Sequence, residues 1–188
     1  MKTEYGHYYH CYNRGNNGQT IFFEKENYLY LIKSIKKRSS RFHITVIAYC
    51  LMPNHYHLLL RQDGTTQISR FIQSTFQSYA QSFNNQYHRT GRLFDNPNPP
   101  KHVADETYLF QVCRYIHRNP LEAGIVKTLE SWPYSNYPEF IGIRNGRLYP
   151  RDLVREWFAS PEEYRRFVEV DFDSEKYRSI RRYLFEEL

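Results

Sequence analysis

The sequence has no uninterrupted apolar run of about eighteen residues, so it offers no segment that could cross a bilayer as a helix. Its first residues, Met1-Lys2-Thr3-Glu4-Tyr5, lack the apolar stretch of a secretory leader, and a cytoplasmic location is expected. Cysteine is scarce. Cys11, Cys50 and Cys113 are widely spaced and form no Cys-x-x-Cys pair. That spacing argues against a disulfide scaffold and against a cysteine zinc site, and leaves thiols in a reducing compartment. Internal repeats and low-complexity tracts are also absent.

What is present describes a folded, basic chain. Its 188 residues are enough for one domain with a core and a small appendage. Hydrophobic residues make up 40% and charged residues 24%, the balance of a globular protein rather than a disordered one. The net charge of +6 favours polyanionic partners without identifying one. Aromatics reach 18%, with 18 tyrosines. Interleaved with cations, such rings suit single-stranded nucleic acid, where cations track phosphates and rings stack on unpaired bases. The same tyrosines would equally fill a core and its rim.

Periodicity predicts the elements. Tyr8 to Asn13 reads as a strand, followed by a turn at Arg14-Gly15-Asn16-Asn17-Gly18. Tyr28, Leu31, Ile32 and Ile35 predict a helix over Glu24 to Arg38. Phe42 to Met52 is β-branched and almost wholly apolar, a central strand. Pro53-Asn54 turns it into a returning strand, His55 to Gln62. A second helix covers Ser69 to Tyr87, and Thr90 to Pro100 is a loop. Lys101 to Ala104 reads as a short strand. Asp105 caps a helix to about Asn119, with a break expected at Pro120. The order β-α-β-β-α-β-α predicts an α+β, ferredoxin-like antiparallel sheet with helices over residues 1–127. Residues 128–188 read as a mostly helical C-terminal appendage.

His55-Tyr56-His57 lies on the returning strand. Alternation puts both imidazoles on one face, where they can ligate one metal ion. Such a site needs a third ligand and an open position for substrate. The helix after Asp105 can supply the ligand: Tyr115 and Asn119 are four apart and share a face, and His117 is an alternative. Imidazole and amide ligands with a phosphate substrate suit Mg²⁺ or Mn²⁺, although two histidines would also take zinc.

At this point the sequence resembles a known family. Ala48-Tyr49-Cys50-Leu51-Met52-Pro53-Asn54-His55-Tyr56-His57 is similar to the HUH strand of the insertion-sequence tyrosine transposases, closest to their REP-associated branch. Tyr12-Asn13-Arg14-Gly15, the segment Phe83 to Phe94, Arg114-Tyr115-Ile116-His117-Arg118-Asn119-Pro120 and Trp132-Pro133-Tyr134-Ser135-Asn136-Tyr137 agree in the same order. The loop Asp95-Asn96-Pro97-Asn98-Pro99-Pro100-Lys101 departs from the basic, aromatic stretch usual there. The resemblance implies a ferredoxin-like fold, Tyr115 as nucleophile, and a divalent metal on His55, His57 and Asn119. It implies cleavage and rejoining of single-stranded DNA through a 5′-phosphotyrosine link. The expected partner is hairpin-forming single-stranded DNA. The fold is compatible with a homodimer that trades the catalytic helix, or with a monomer.

Arg14, Arg89, Arg92, Lys101, Arg114 and Arg118 are the cations expected to track DNA phosphates. Nine arginines from Arg144 to Arg182 make the appendage a candidate for recognising a hairpin or its flanking bases. Two rival readings share the same residues: a single-strand-binding module without cleavage, and a metal-dependent hydrolase using water in place of Tyr115.

Overall fold

The computed structural model describes residues 2–169, together with 175, 178, 179 and 182. Four strands form one antiparallel sheet in the order β2-β3-β1-β4. They are β1 (Tyr8–Arg14), β2 (Ile44–Met52), β3 (His55–Gln62) and β4 (Lys101–Val103). Helices α1 (Lys25–Phe42) and α2 (Ile68–Gln86) join them as the ferredoxin-like order requires, and α3 (Glu106–Glu122) follows β4. Short helices α4 (Tyr137–Phe140), α5 (Arg151–Trp157) and α6 (Pro161–Glu169) complete the described chain. Among the described residues no helix is long and apolar enough to cross a membrane.

Strand alternation assigns the two faces of the sheet. Tyr56 stacks on Phe76 of α2 at 3.8 Å between ring centroids, so its face carries α1 and α2. Its neighbour His57 meets Tyr115 of α3, so the opposite face carries the third helix. The sheet is therefore covered on both sides. That is why β2 and β3 are buried almost throughout and read as continuous apolar runs.

Two boundaries differ from expectation by more than one residue. The strand expected from Phe42 begins at Ile44, because α1 runs four residues past Arg38 and ends on His43 in the left-handed region, φ 51°. The Arg38 guanidinium bonds Ser34 in its own helix and Ser74 in α2, which holds that last turn against its neighbour. Likewise α3 does not break at Pro120 but continues to Glu122. Proline removes one N–H and crowds the preceding turn. Here residues 111–120 are all buried, and packing around the helix outweighs the local penalty. The chain leaves through Gly124, φ 67°.

The edge of β2 is not open. Leu51 N–H donates to Tyr134 O, and Asn136 exchanges backbone and side-chain bonds with Tyr49 and Ile47. The segment Trp132–Asn136 thus covers an edge that would otherwise expose unpaired backbone. A second apolar cluster, built on Tyr137, Phe140, Phe158 and Tyr164, packs on the back of α3.

His117 sits at that junction. Its Nε2 donates to Asn136 Oδ1 at 2.9 Å, and its Nδ1 accepts from the Tyr164 hydroxyl at 2.6 Å. Burial drives its pKa down to about 4, against the opposing bond to Asn136. Above pH 6.5 the ring is neutral folded or unfolded. As pH falls from 6.5 towards 4 only the unfolded chain takes the proton, so stability falls. We expect a loss approaching about 1.4 kcal/mol per pH unit from this one group in that window. Urea unfolding at pH 7, 6 and 5 checks it. His117→Gln, which cannot titrate, should show a shallower slope than wild type, and an unchanged slope would contradict the assignment.

Candidate active site

A cavity of about 700 Å³ opens where the ends of β1 and β3 meet α3. His55 and His57 reach it from β3, Tyr12, Asn13 and Arg14 from β1, and Tyr115 and Asn119 from α3. The loop expected over Thr90 to Pro100 supplies Arg92, Asp95, Asn96 and Asn98. It is anchored to the end of β1 and the turn after it. Asp95 N–H donates to Arg14 O, Asn16 N–H to Leu93 O, and the Gln19 amide to Leu93 O.

The two histidines hold different places. His57 is 1% exposed, deep on the sheet, while His55 lies nearer the opening. Their ring centroids are 5.2 Å apart and nearly perpendicular. Tyr115 stands edge-on to His57, centroids 5.4 Å apart. The Asn119 amide nitrogen donates to Tyr115 O at 2.8 Å, which fixes the side chain one turn beyond the tyrosine. Burial lowers the pKa of His55, opposed by a hydrogen bond with Asn119. It lowers that of His57 well below the usual value, aided by the charges that His55 and His10 would carry. Both imidazoles are therefore held neutral near pH 7, the form that can ligate a cation. The Asn54 side-chain oxygen Oδ1 lies 2.8 Å from His55 Nδ1, in place to accept a proton carried there.

Among the described residues no group of three or more His, Cys, Asp or Glu could hold a metal. The donors here are two imidazoles and one amide oxygen, a set that leaves coordination positions for phosphate and water. Two carboxylates border the cavity, but both are engaged. Asp95 pairs with Arg14 at 2.6 Å and Glu122 with Arg118 at 2.7 Å.

The six expected phosphate-tracking cations divide. Arg14 and Arg92 line the cavity, the first already paired with Asp95. Arg89 lies away from it, bonded to Gln19 and over the Phe83 ring. Lys101 is on β4, in register with His10. Arg114 and Arg118 are not among the residues that line the cavity. Both are buried on the back of α3, where they donate to the Phe167 and Val168 carbonyls of α6, and Arg114 stacks 3.8 Å over Phe167. These bonds fasten the helix to the C-terminal segment, while the Arg118 charge is also paired with Glu122 one turn on. His117 is likewise a buried structural group rather than a third ligand. In the appendage, Arg144 is consumed by Glu139 and by the Pro133 and Ser135 carbonyls. Arg181 lies outside the described residues.

Comparison with known proteins identifies the family. Residues 3–119 match the family model for IS200-like transposases. The chain belongs to the IS200-like transposase family. A Haemophilus influenzae protein named among the REP-associated tyrosine transposases is 22% identical to this transposase over 139 residues, 68% of this chain and 74% of that one. The solved structure of a REP-associated tyrosine transposase bound to a REP hairpin superposes with a TM-score of 0.58 at 15% identity, covering 80% of this chain and 94% of that one. That likeness is one of fold.

His10 is the residue that sequence reasoning passed over. It is fully buried on β1, and its Nε2 lies 3.1 Å from His57 Nδ1. Burial, then the nearby charge of Lys101, pushes its pKa down to about 3. The signal was present in the alternation of Tyr8, His10, Tyr12 and Arg14 on one strand face. Its meaning depended on β1 pairing with β3, which no local pattern reveals.

Proposed function

We propose that this transposase cleaves and rejoins single-stranded DNA, with Tyr115 as nucleophile and a Mg²⁺ or Mn²⁺ ion on His55, His57 and Asn119. The observation that carries the reading is convergence: Tyr115, both histidines and Asn119 meet in one cavity, from two elements of one chain. The bound cation would polarise the scissile phosphate and offset the charge that develops on it. Tyr115 Oη forms the new bond to phosphorus as the bond to the 3′-oxygen breaks. The proton lost by the phenol balances the one gained by the leaving 3′-hydroxyl. The product is a 5′-phosphotyrosine, and attack on it by a 3′-hydroxyl restores Tyr115 and the DNA without a nucleotide cofactor.

Hairpin-forming DNA is the proposed partner, as bound by the solved relative. Arg92 and Arg14 at the rim would meet its phosphates. Exposed Arg147, Arg151 and Arg155 would extend that contact into the C-terminal segment. In this reading the site is drawn from one chain, with α3 packed on its own sheet.

The test is covalent trapping. Protein is mixed with a pool of labelled single-stranded hairpins and Mn²⁺ and run on a denaturing gel. A protease-sensitive adduct is expected from wild type. It should drop at least about 100-fold for His55→Ala/His57→Ala and vanish with chelator. An adduct that persists in the double variant would reject the metal assignment. Binding without any adduct would favour the non-cleaving module.

A further inference from the structure

We infer that His10 is a positioning residue for the candidate metal ligand His57, accepting the His57 Nδ1 proton so that Nε2 presents its lone pair to the cavity. The inference rests on the proposed role of His57 as a ligand. His10 is 0% exposed, and its Nε2 meets His57 Nδ1 at 3.1 Å. The two rings are nearly parallel, 12° apart in orientation with centroids separated by 5.2 Å. Tyr12 stacks on both, at 15° to His10 and 27° to His57, so neither ring can rotate without displacing the others.

The chemistry follows from the inventory of the imidazole ring. A neutral imidazole has one donor nitrogen and one acceptor. With Nδ1 of His57 engaged by His10, Nε2 is the atom left to bind a cation, and it can do so only if the proton resides on Nδ1. That proton then needs an acceptor, and His10 Nε2 is in place to be one. His10 must in turn carry its own proton on Nδ1, which has no hydrogen-bond partner among the described residues. Burying a polar atom without a partner is unfavourable. A phenylalanine would fill the same slot without that penalty, so packing alone does not account for a histidine here. Metal-bound histidines commonly donate their second ring N–H to an outer partner, and loss of that partner weakens the metal about 10–100-fold.

The experiment titrates Mn²⁺ into the full-length apo protein by calorimetry, with electron paramagnetic resonance as a second readout. His57→Ala should lose the site. His10→Phe should bind about 10–100-fold more weakly while unfolding no earlier in urea than wild type. His10→Gln, whose amide oxygen can reach the position of Nε2, should recover affinity to within a few fold. If His57→Ala binds as wild type does, the metal reading fails and this inference with it. If His57→Ala loses the ion but His10→Phe does not, the inference alone fails. Should His10→Phe not fold, nitrogen-15 spectra of the Mg²⁺-loaded wild type decide the question. His57 is expected protonated on Nδ1, and protonation on Nε2 would overturn the assignment.

Discussion

Replacing Tyr115 with phenylalanine should abolish the covalent protein–DNA adduct while leaving folding and DNA binding in place. The ring is 4% exposed and packs edge-on to His57, and phenylalanine retains that packing. What is lost is one oxygen, and with it the only atom of the side chain able to attack phosphorus. Strand transfer should fall by at least about 10³-fold, the scale of removing a catalytic nucleophile. The denaturing-gel assay reads the adduct, and a native gel with the same DNA reads binding, which should change by no more than a few fold. The alternatives give different patterns. A metal-dependent hydrolase would still cut the DNA and would leave no adduct in either protein. An adduct in the variant would move the nucleophile to another hydroxyl, and Tyr12 borders the same cavity.

Asn136→Ala should be the most destabilising single change outside the apolar core. Asn136 is fully buried. Its Oδ1 accepts from Tyr49 N–H at 2.8 Å and from His117 Nε2, and its Nδ2 donates to Ile47 O at 2.9 Å. Ile47 sits at the register shift between Val46 and Ala48, where the β3 ladder leaves β2 with unmatched backbone. Truncation would strand an N–H, a carbonyl and an imidazole N–H in the interior, each worth about 1–3 kcal/mol. A loss of about 3–5 kcal/mol is expected, read as a lower urea midpoint with an unchanged slope. Because His117 lies on the helix that carries Tyr115 and Asn119, any Asn136→Ala protein that folds should also form adduct more slowly. A shift below about 1 kcal/mol would mean that water takes over these bonds.

Much of the candidate site was readable in one dimension because its parts are local. His55 and His57 share a face by the two-residue repeat of a strand, and Tyr115 and Asn119 share one by the four-residue repeat of a helix. The β3 boundaries at His55 and Gln62 were likewise legible, since Pro53-Asn54 and the apolar run leave little choice of register. Arg114 and Arg118 show where such reading stops. Sequence reports a cation and not its direction. On an ordinary amphipathic helix, charges point to water. Here the C-terminal segment covers that side of α3 and converts two apparent DNA contacts into bonds to the Phe167 and Val168 carbonyls.

By itself, the sequence determined the strand and helix order, the pairing of histidines on one strand face, and the spacing of tyrosine and amide on one helix face, because each is set by backbone geometry within a few residues. Only the tertiary structure decided which cations line the cavity, that Asp95 draws Arg14 into an ion pair, that His10 stands behind His57, and that Asn136 closes the β2 edge. Those contacts join residues up to about ninety positions apart, and the free energy that selects them comes from burial and hydrogen-bond satisfaction across the whole fold.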